Sequence, residues 1–361
     1  MNTRNRDREA SVVLTLFGIL YTMTFGNALG QRTSLEASAD PRITAMGESF
    51  VAVPAYGGAM TSNPAGLAGI EGISISYGQL NESESYAQGS RYLSLKGAMH
   101  TPFVDIGLSY TRYNYGEPLT RTAYLDGLGR EFNPYEYTIG IGIAKQIGSF
   151  SIGASVKRFD RSGAYYQDAL HKTTVTKPML FDLGVQYTHG FSSNDDPPNQ
   201  RISIGVCYQN VGEDIKTETV FSQQPSMRYT TTTGLPQYLR VGLAYQFQTR
   251  AEIDGRLMPF RFMIAFEYRN QANAKRSAGR DYWGLGVEGI VYEIVSIRLS
   301  QYGYREESFA RIGAGLCAPL RKLGADLPMS VRFEYAAMVN DPFINGGHLF
   351  SLGLQLHQEV F

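Results

Sequence analysis

Beyond residue 30, apolar and polar positions alternate with period two over most of the chain. In Arg240-Val241-Gly242-Leu243-Ala244-Tyr245-Gln246-Phe247 the odd positions are apolar and the even ones polar or tiny. Phe260, Phe262, Ile264, Phe266 and Tyr268 alternate with Arg261, Met263, Ala265, Glu267 and Arg269. Tyr137, Ile139, Ile141 and Ile143 alternate with Thr138, Gly140, Gly142 and Ala144; Ile202, Ile204, Val206 and Tyr208 alternate with Ser203, Gly205, Cys207 and Gln209. A strand shows successive side chains to opposite faces, so each segment has one apolar face and one of small, polar or charged residues. Runs of about ten such residues are the pattern of lipid-facing barrel strands around a polar lumen. No apolar run long enough for a transmembrane helix follows residue 30.

Fourteen such segments are predicted, near residues 72–79, 90–98, 103–113, 134–146, 149–159, 178–188, 201–210, 237–247, 259–268, 281–290, 293–301, 308–316, 328–337 and 347–357. The number is even, as in single-chain bacterial outer-membrane barrels. Connections after odd strands are long, 114–133 and 211–236 above all, and those after even strands are shorter. A soluble sandwich has short turns at both ends. Long loops on one side and short turns on the other read as extracellular and periplasmic faces. The predicted fold class is all-β, a 14-stranded antiparallel transmembrane β-barrel over residues 72–361, with membrane lipid around it.

The N-terminus reads as a targeting segment. Arg4, Arg6 and Arg8 precede an apolar stretch from Ser11 to Phe25, and Ala28-Leu29-Gly30 supplies small residues for cleavage after Gly30. Residues 1–30 are expected to be a cleaved signal peptide rather than a membrane anchor. Composition agrees with a β protein: 24 Tyr, 39 Gly and 18% charged residues. The 33 basic residues balance 33 acidic ones, which offers nucleic acid no field to bind. Mean hydropathy is −0.22, a soluble value. It misleads here, because half of every barrel strand is polar.

Barrel width decides what residues 31–71 are for. Eight strands fill with side chains and 16 to 18 leave an aqueous channel. Fourteen lie between, so an unplugged barrel would leak. The leader is rich in Gly, Ala and Pro, which permit tight turns and close backbone approach. It is expected to be an N-terminal hatch inside the barrel; the other reading is a periplasmic extension.

The run Ala45-Met46-Gly47, Phe50-Val51-Ala52-Val53 and Asn63-Pro64-Ala65-Gly66-Leu67-Ala68 resembles the hatch motif of the PorV/PorQ family, a branch of the FadL-like barrels. Further matches are Tyr113-Asn114-Tyr115-Gly116-Glu117, Gln209-Asn210-Val211-Gly212, Leu235-Pro236 with Leu239 to Tyr245, and His348 to Leu354. Ala55-Tyr56-Gly57-Gly58 and Ser62 depart from the family's usual residues. The resemblance implies that Met46, Gly47, Asn63, Pro64, Ala65 and Gly66 form the hatch motif. It implies two functions. The first is type IX protein secretion or surface attachment, with cargo C-terminal domains or surface attachment proteins as partners. The alternative is FadL-like transport of a hydrophobic small molecule across the outer membrane.

Other motifs carry less. Gly284-Leu285-Gly286-Val287-Glu288-Gly289 matches a dinucleotide fingerprint but lies inside a strand, and its glycines are expected to leave room for the hatch. His100, His171, His189, His348 and His357 show no metal spacing and pair with no nucleophile. Cys207 and Cys317 are expected as free thiols. No catalytic residue, cofactor or metal is predicted. Arg240, Arg261, Glu267, Glu288, Arg298, Arg311, Arg332 and Glu334 fall on lumen faces; they form either a paired network between wall and hatch or a polar ligand path. Phe361 ends the chain with an aromatic out of register with Phe350, Leu352, Leu354 and Leu356.

Overall fold

The computed structural model describes residues 34–36, 38–81, 87–115, 117–118, 135–162, 171–191, 199–221, 224–253, 256–273, 281–304, 307–324, 327–339 and 347–357. The segment read as a signal peptide and the terminal Phe361 lie outside the described residues. Fourteen strands close into one antiparallel barrel. They are β1 Ile73–Asn81, β2 Arg91–Met99, β3 Asp105–Asn114, β4 Tyr135–Ile147, β5 Phe150–Ser162, β6 Met179–Phe191 and β7 Gln200–Gly212, followed by β8 Tyr238–Ile253, β9 Arg256–Gln271, β10 Tyr282–Val291, β11 Val295–Tyr304, β12 Glu307–Pro319, β13 Met329–Val339 and β14 His348–Leu356. Each pairs with its sequence neighbours, and β1 with β14 closes the ring, Ile73 opposite Leu356 and Asn81 opposite His348. Closure leaves no edge, the condition for a sheet to sit in lipid.

The alternation has the predicted sense. Ile139, Ile141 and Ile143 point outward and are exposed, as are Val241, Leu243, Phe266, Leu352 and Leu354. Leu108 is 56% exposed and Leu183 61%. Bare in water, this belt would be far larger than a soluble monomer presents; in a bilayer it is the lipid face. No described helix is long and apolar enough to cross a membrane. The strands cross instead.

The two ends differ. Loops that follow odd strands pair with one another: Gln224–Thr233 with Ile215–Phe221, the latter with His171–Val175, and Ala87–Gln88 with Glu117–Pro118. The opposite end has short connections, such as Gly148-Ser149 between β4 and β5, where Gly148 takes φ 60°. Short turns mark the periplasmic end. One expected connection is replaced by strand. Pairing between β8 and β9 runs on to Ile253 opposite Arg256, taking in residues 248–253 and 256–258. The polar Gln248-Thr249-Arg250 breaks the apolar face there, but a backbone ladder needs no apolar face.

Residues 38–70 pack against the inward face of the barrel. The backbone starts near the loop end: Ser34 N–H donates to Glu136 of β4, Tyr92 of β2 donates to the Ser34 carbonyl, and Tyr238 of β8 donates to Glu36. It then descends to the start of β1. Met46, Phe50, Val51, Ala65 and Leu67 along it are fully buried. The main apolar cluster joins Ile43, Met46, Phe50, Val51, Ala52 and Val53 to the inward Cys207, Ala244, Met263 and Ala265.

Candidate functional site

The interface between leader and wall holds the chemistry. Its first part is a five-residue helix, α1, Pro41–Ala45. Proline opens it where a missing N–H costs nothing. Asp40 caps it, accepting from Arg42 N and Ile43 N at 3.0 and 3.2 Å. The same carboxylate takes the Tyr56 hydroxyl at 2.8 Å and the Lys96 ammonium of β2 at 3.1 Å. Burial alone would push the Asp40 carboxyl up, but the Lys96 charge with the Tyr56 and Ile43 hydrogen bonds outweighs it and holds Asp40 below the usual carboxylate range.

Asn63 organises the second part. It caps the short 3-10 turn Pro64–Leu67, its Oδ1 accepting from Ala65 N at 3.0 Å. Its Nδ2 donates to the Val51 carbonyl at 2.7 Å, tying two stretches of leader together. Gln186 of β6 donates to the same carbonyl at 2.8 Å, and Gln209 of β7 donates to the Thr61 and Ser62 carbonyls at 3.1 Å. Wall side chains thus replace the pairing that leader backbone would otherwise lack. Pro64, Ala65 and Gly66 are buried beneath β5 and β6, and Met46 and Gly47 lie on β10. Gly284 and Gly286 meet the Gly47 and Met46 carbonyls so closely that any Cβ would collide. Gly289, the third glycine of that run, faces the other way, beside Phe260.

Six of the eight charges singled out above enter two buried clusters. Glu267 accepts from Phe50 N and Val51 N at 3.0 and 2.9 Å, and from Arg240 Nε at 2.6 Å. Arg240 also donates to Gln209 and to the Glu48 carbonyl. Arg311 reaches Glu48 at 3.3 Å. Glu288 receives Arg42 through two bonds of 2.8 and 2.7 Å and Arg298 at 2.6 Å, and Arg298 continues to Glu334. Arg261 faces inward outside both clusters and Arg332 joins only through a 3.9 Å pairing with Glu334; both line an open recess beside Arg42.

Several contributors escaped the sequence reading. Arg269 bonds Glu48 at 2.9 Å; it lies two residues beyond Glu267 and shares its face, so counting by two would have found it. Glu48, at φ 61°, holds both Arg269 and Arg311 from the leader, and no periodicity marks it. In the wall, Lys157 bonds Asp182 at 2.8 Å and Asn210 at 2.6 Å. Asn210 sits at a bulge between β6 and β7 with φ 59°, a conformation asparagine tolerates. Above these, Tyr238, Tyr282, Tyr302, Tyr304 and Phe309 form an inward aromatic cluster near the loop end. Arg269 lies 5.5 and 5.6 Å from the Tyr238 and Tyr282 ring centres, and Arg311 4.2 Å from that of Tyr302.

No protein-family model and no curated protein sequence matches the chain. Solved structures do. The toluene transporter TbuX of Ralstonia pickettii superposes with a TM-score of 0.52 at 13% identity, over 88% of this chain and 98% of that one. The toluene transporter TodX of Pseudomonas putida gives 0.50 at 12% identity, over 88% and 98%. A Pseudomonas aeruginosa FadL homologue gives 0.43 at 13%, over 86% and 96%. The chain therefore has the fold of the FadL-like 14-stranded barrels, and with its closed wall and apolar belt it is an integral protein of the bacterial outer membrane.

Proposed function

We propose that this protein carries hydrophobic small molecules through the outer membrane, with residues 31–71 as the hatch. The observation that carries the reading is the inward aromatic cluster of Tyr238, Tyr282, Tyr302, Tyr304 and Phe309. Five ring side chains packed together on the lumen face offer an apolar solute a surface to contact. A second apolar group joins Phe159 and Leu180 of the wall to Ile215 and Leu235 of the loop between β7 and β8. Side-chain packing and polar side-chain bonds, not strand pairing, hold the leader, so it can shift without opening the barrel seam. The fold shared with two toluene transporters supports the same cargo class. The reading assigns no catalysis to the chain.

The test is uptake. Cells lacking their own hydrophobic transporters, given this gene, should accumulate labelled toluene faster than cells with an empty vector. Truncating the cluster through Tyr282→Ala and Tyr302→Ala should slow that gain. Uptake equal to the vector control would sink the reading. Deleting residues 31–71 tests the hatch separately: in planar bilayers a closed barrel should become a conducting one.

The leader's likeness to the PorV/PorQ motif favours a second reading, surface-protein secretion or attachment. Affinity purification from mild detergent separates the two. Co-purified proteins sharing one C-terminal domain would point to secretion; a co-purified apolar ligand would point to transport.

A further inference from the structure

Four guanidinium groups, from Arg42, Arg261, Arg298 and Arg332, converge on a small open recess at the periplasmic end. Three carboxylates stand with them: Glu288, Glu334 and Glu293. All three have partners. Glu288 is shared between Arg42 and Arg298, and Glu334 accepts both terminal nitrogens of Arg298. Arg332 comes no nearer to Glu334 than 3.9 Å and is 36% exposed. Arg261 makes no hydrogen bond or ion pair among the described residues, although its position on β9 points it inward beside Met263.

The recess thus holds one more cation than anion; the Arg261 guanidinium is ungripped, and Arg332 has only its long 3.9 Å pairing with Glu334. Arginines placed only to pin the leader would be gripped as Arg42 is. We propose that the recess binds an oxyanion, a carboxylate or a phosphate group, between Arg261 and Arg332. A guanidinium offers parallel N–H donors matched to two oxygens of such a group. Arg42 and Arg298, fixed from behind by Glu288 and Glu334, add field without moving. Two sources fit this chemistry: a free phosphate in the periplasm, or the headgroup of an anionic lipid at the barrel rim. The inference does not rest on the transport reading, and a barrel with any cargo could carry the site.

Titrating the full-length protein in uncharged detergent with inorganic phosphate, followed by calorimetry, tests it. The wild type should show one saturable site. Arg261→Gln should weaken it at least about tenfold, the loss expected for one charge-assisted contact, and Arg261→Lys should restore part of it. Arg261 has no protein partner to lose, so Arg261→Gln should keep the folded barrel's heat-modifiable mobility. The double variant Arg261→Gln with Arg332→Gln should abolish binding. No saturable site in the wild type, or wild-type affinity in the double variant, overturns the proposal. Nanodiscs with and without phosphatidylglycerol then assign the occupant. A headgroup already seated lowers the apparent phosphate affinity, and a free ion leaves it unchanged.

Discussion

Asn63 lies against the bare backbone of Gly184: a methyl group added to that glycine would overlap the Asn63 side-chain oxygen. The same oxygen caps Ala65, and the same amide holds Val51. One wall position on β6 therefore constrains two stretches of the leader.

Gly184→Ala should displace Asn63, break the cap and loosen the leader while the barrel stays closed. Asn63→Ala removes the cap and leaves the Val51 carbonyl with Gln186 alone. Loss of an Asn cap costs about 1 kcal/mol. Both variants should raise single-channel conductance above the wild-type level, Gly184→Ala no less than Asn63→Ala. Wild-type conductance in Gly184→Ala would mean the leader adjusts around the added methyl without loosening.

Glu267 holds the leader from the other side. It is 3% exposed and accepts two leader N–H groups as well as Arg240. Glu267→Gln leaves the Arg240 charge buried without its main counterion, at a cost of roughly 3–5 kcal/mol if the site cannot rehydrate. Combining it with Arg240→Gln should recover part of the loss. Urea unfolding in vesicles measures both; additive losses would show that the pair is not coupled.

The paired loops set the orientation. A protease site inserted between Phe221 and Gln224, at the tip of the loop hairpin, should be cut on intact cells. A site within 192–198, between β6 and β7, should be protected. The reverse pattern would turn the barrel over and place the arginine recess at the cell surface.

Neighbouring positions on β8 separate lipid from lumen. Leu243 is 48% exposed on the outer face, while Gly242 sits against Val51 of the leader. Leu243→Arg places a charge in the apolar belt, at roughly 2–4 kcal/mol near the bilayer midplane. Gly242→Arg should insert more readily and instead disturb the leader, raising conductance. Folding yields into vesicles and bilayer recordings distinguish them; equal yields would put the assigned faces in error.

All fourteen strands, their facing and the asymmetry of the two ends were legible in the sequence. Lipid demands that every backbone group be paired and that apolar residues face outward, and both demands act locally, two residues at a time. That is why Leu243 and Gly242 could be told apart by counting. The extension of β8 and β9 past residue 247 was not legible by the same count, because the polar run Gln248-Thr249-Arg250 interrupts the apolar face while the ladder continues.

What the charges do was decided only by tertiary structure. Glu48 grips Arg269 and Arg311, and Arg42 grips Glu288, across more than two hundred residues. Periodicity shows that these wall residues face inward but not which of them meet. Their partners depend on the barrel closing β1 onto β14 and on the course of a leader whose own sequence has no period. Its turns are set by caps at Asp40 and Asn63 and by the glycines it rests on. A desolvated charge must find a partner, and here the partners lie on neighbouring strands and on a leader that runs inside the closed ring.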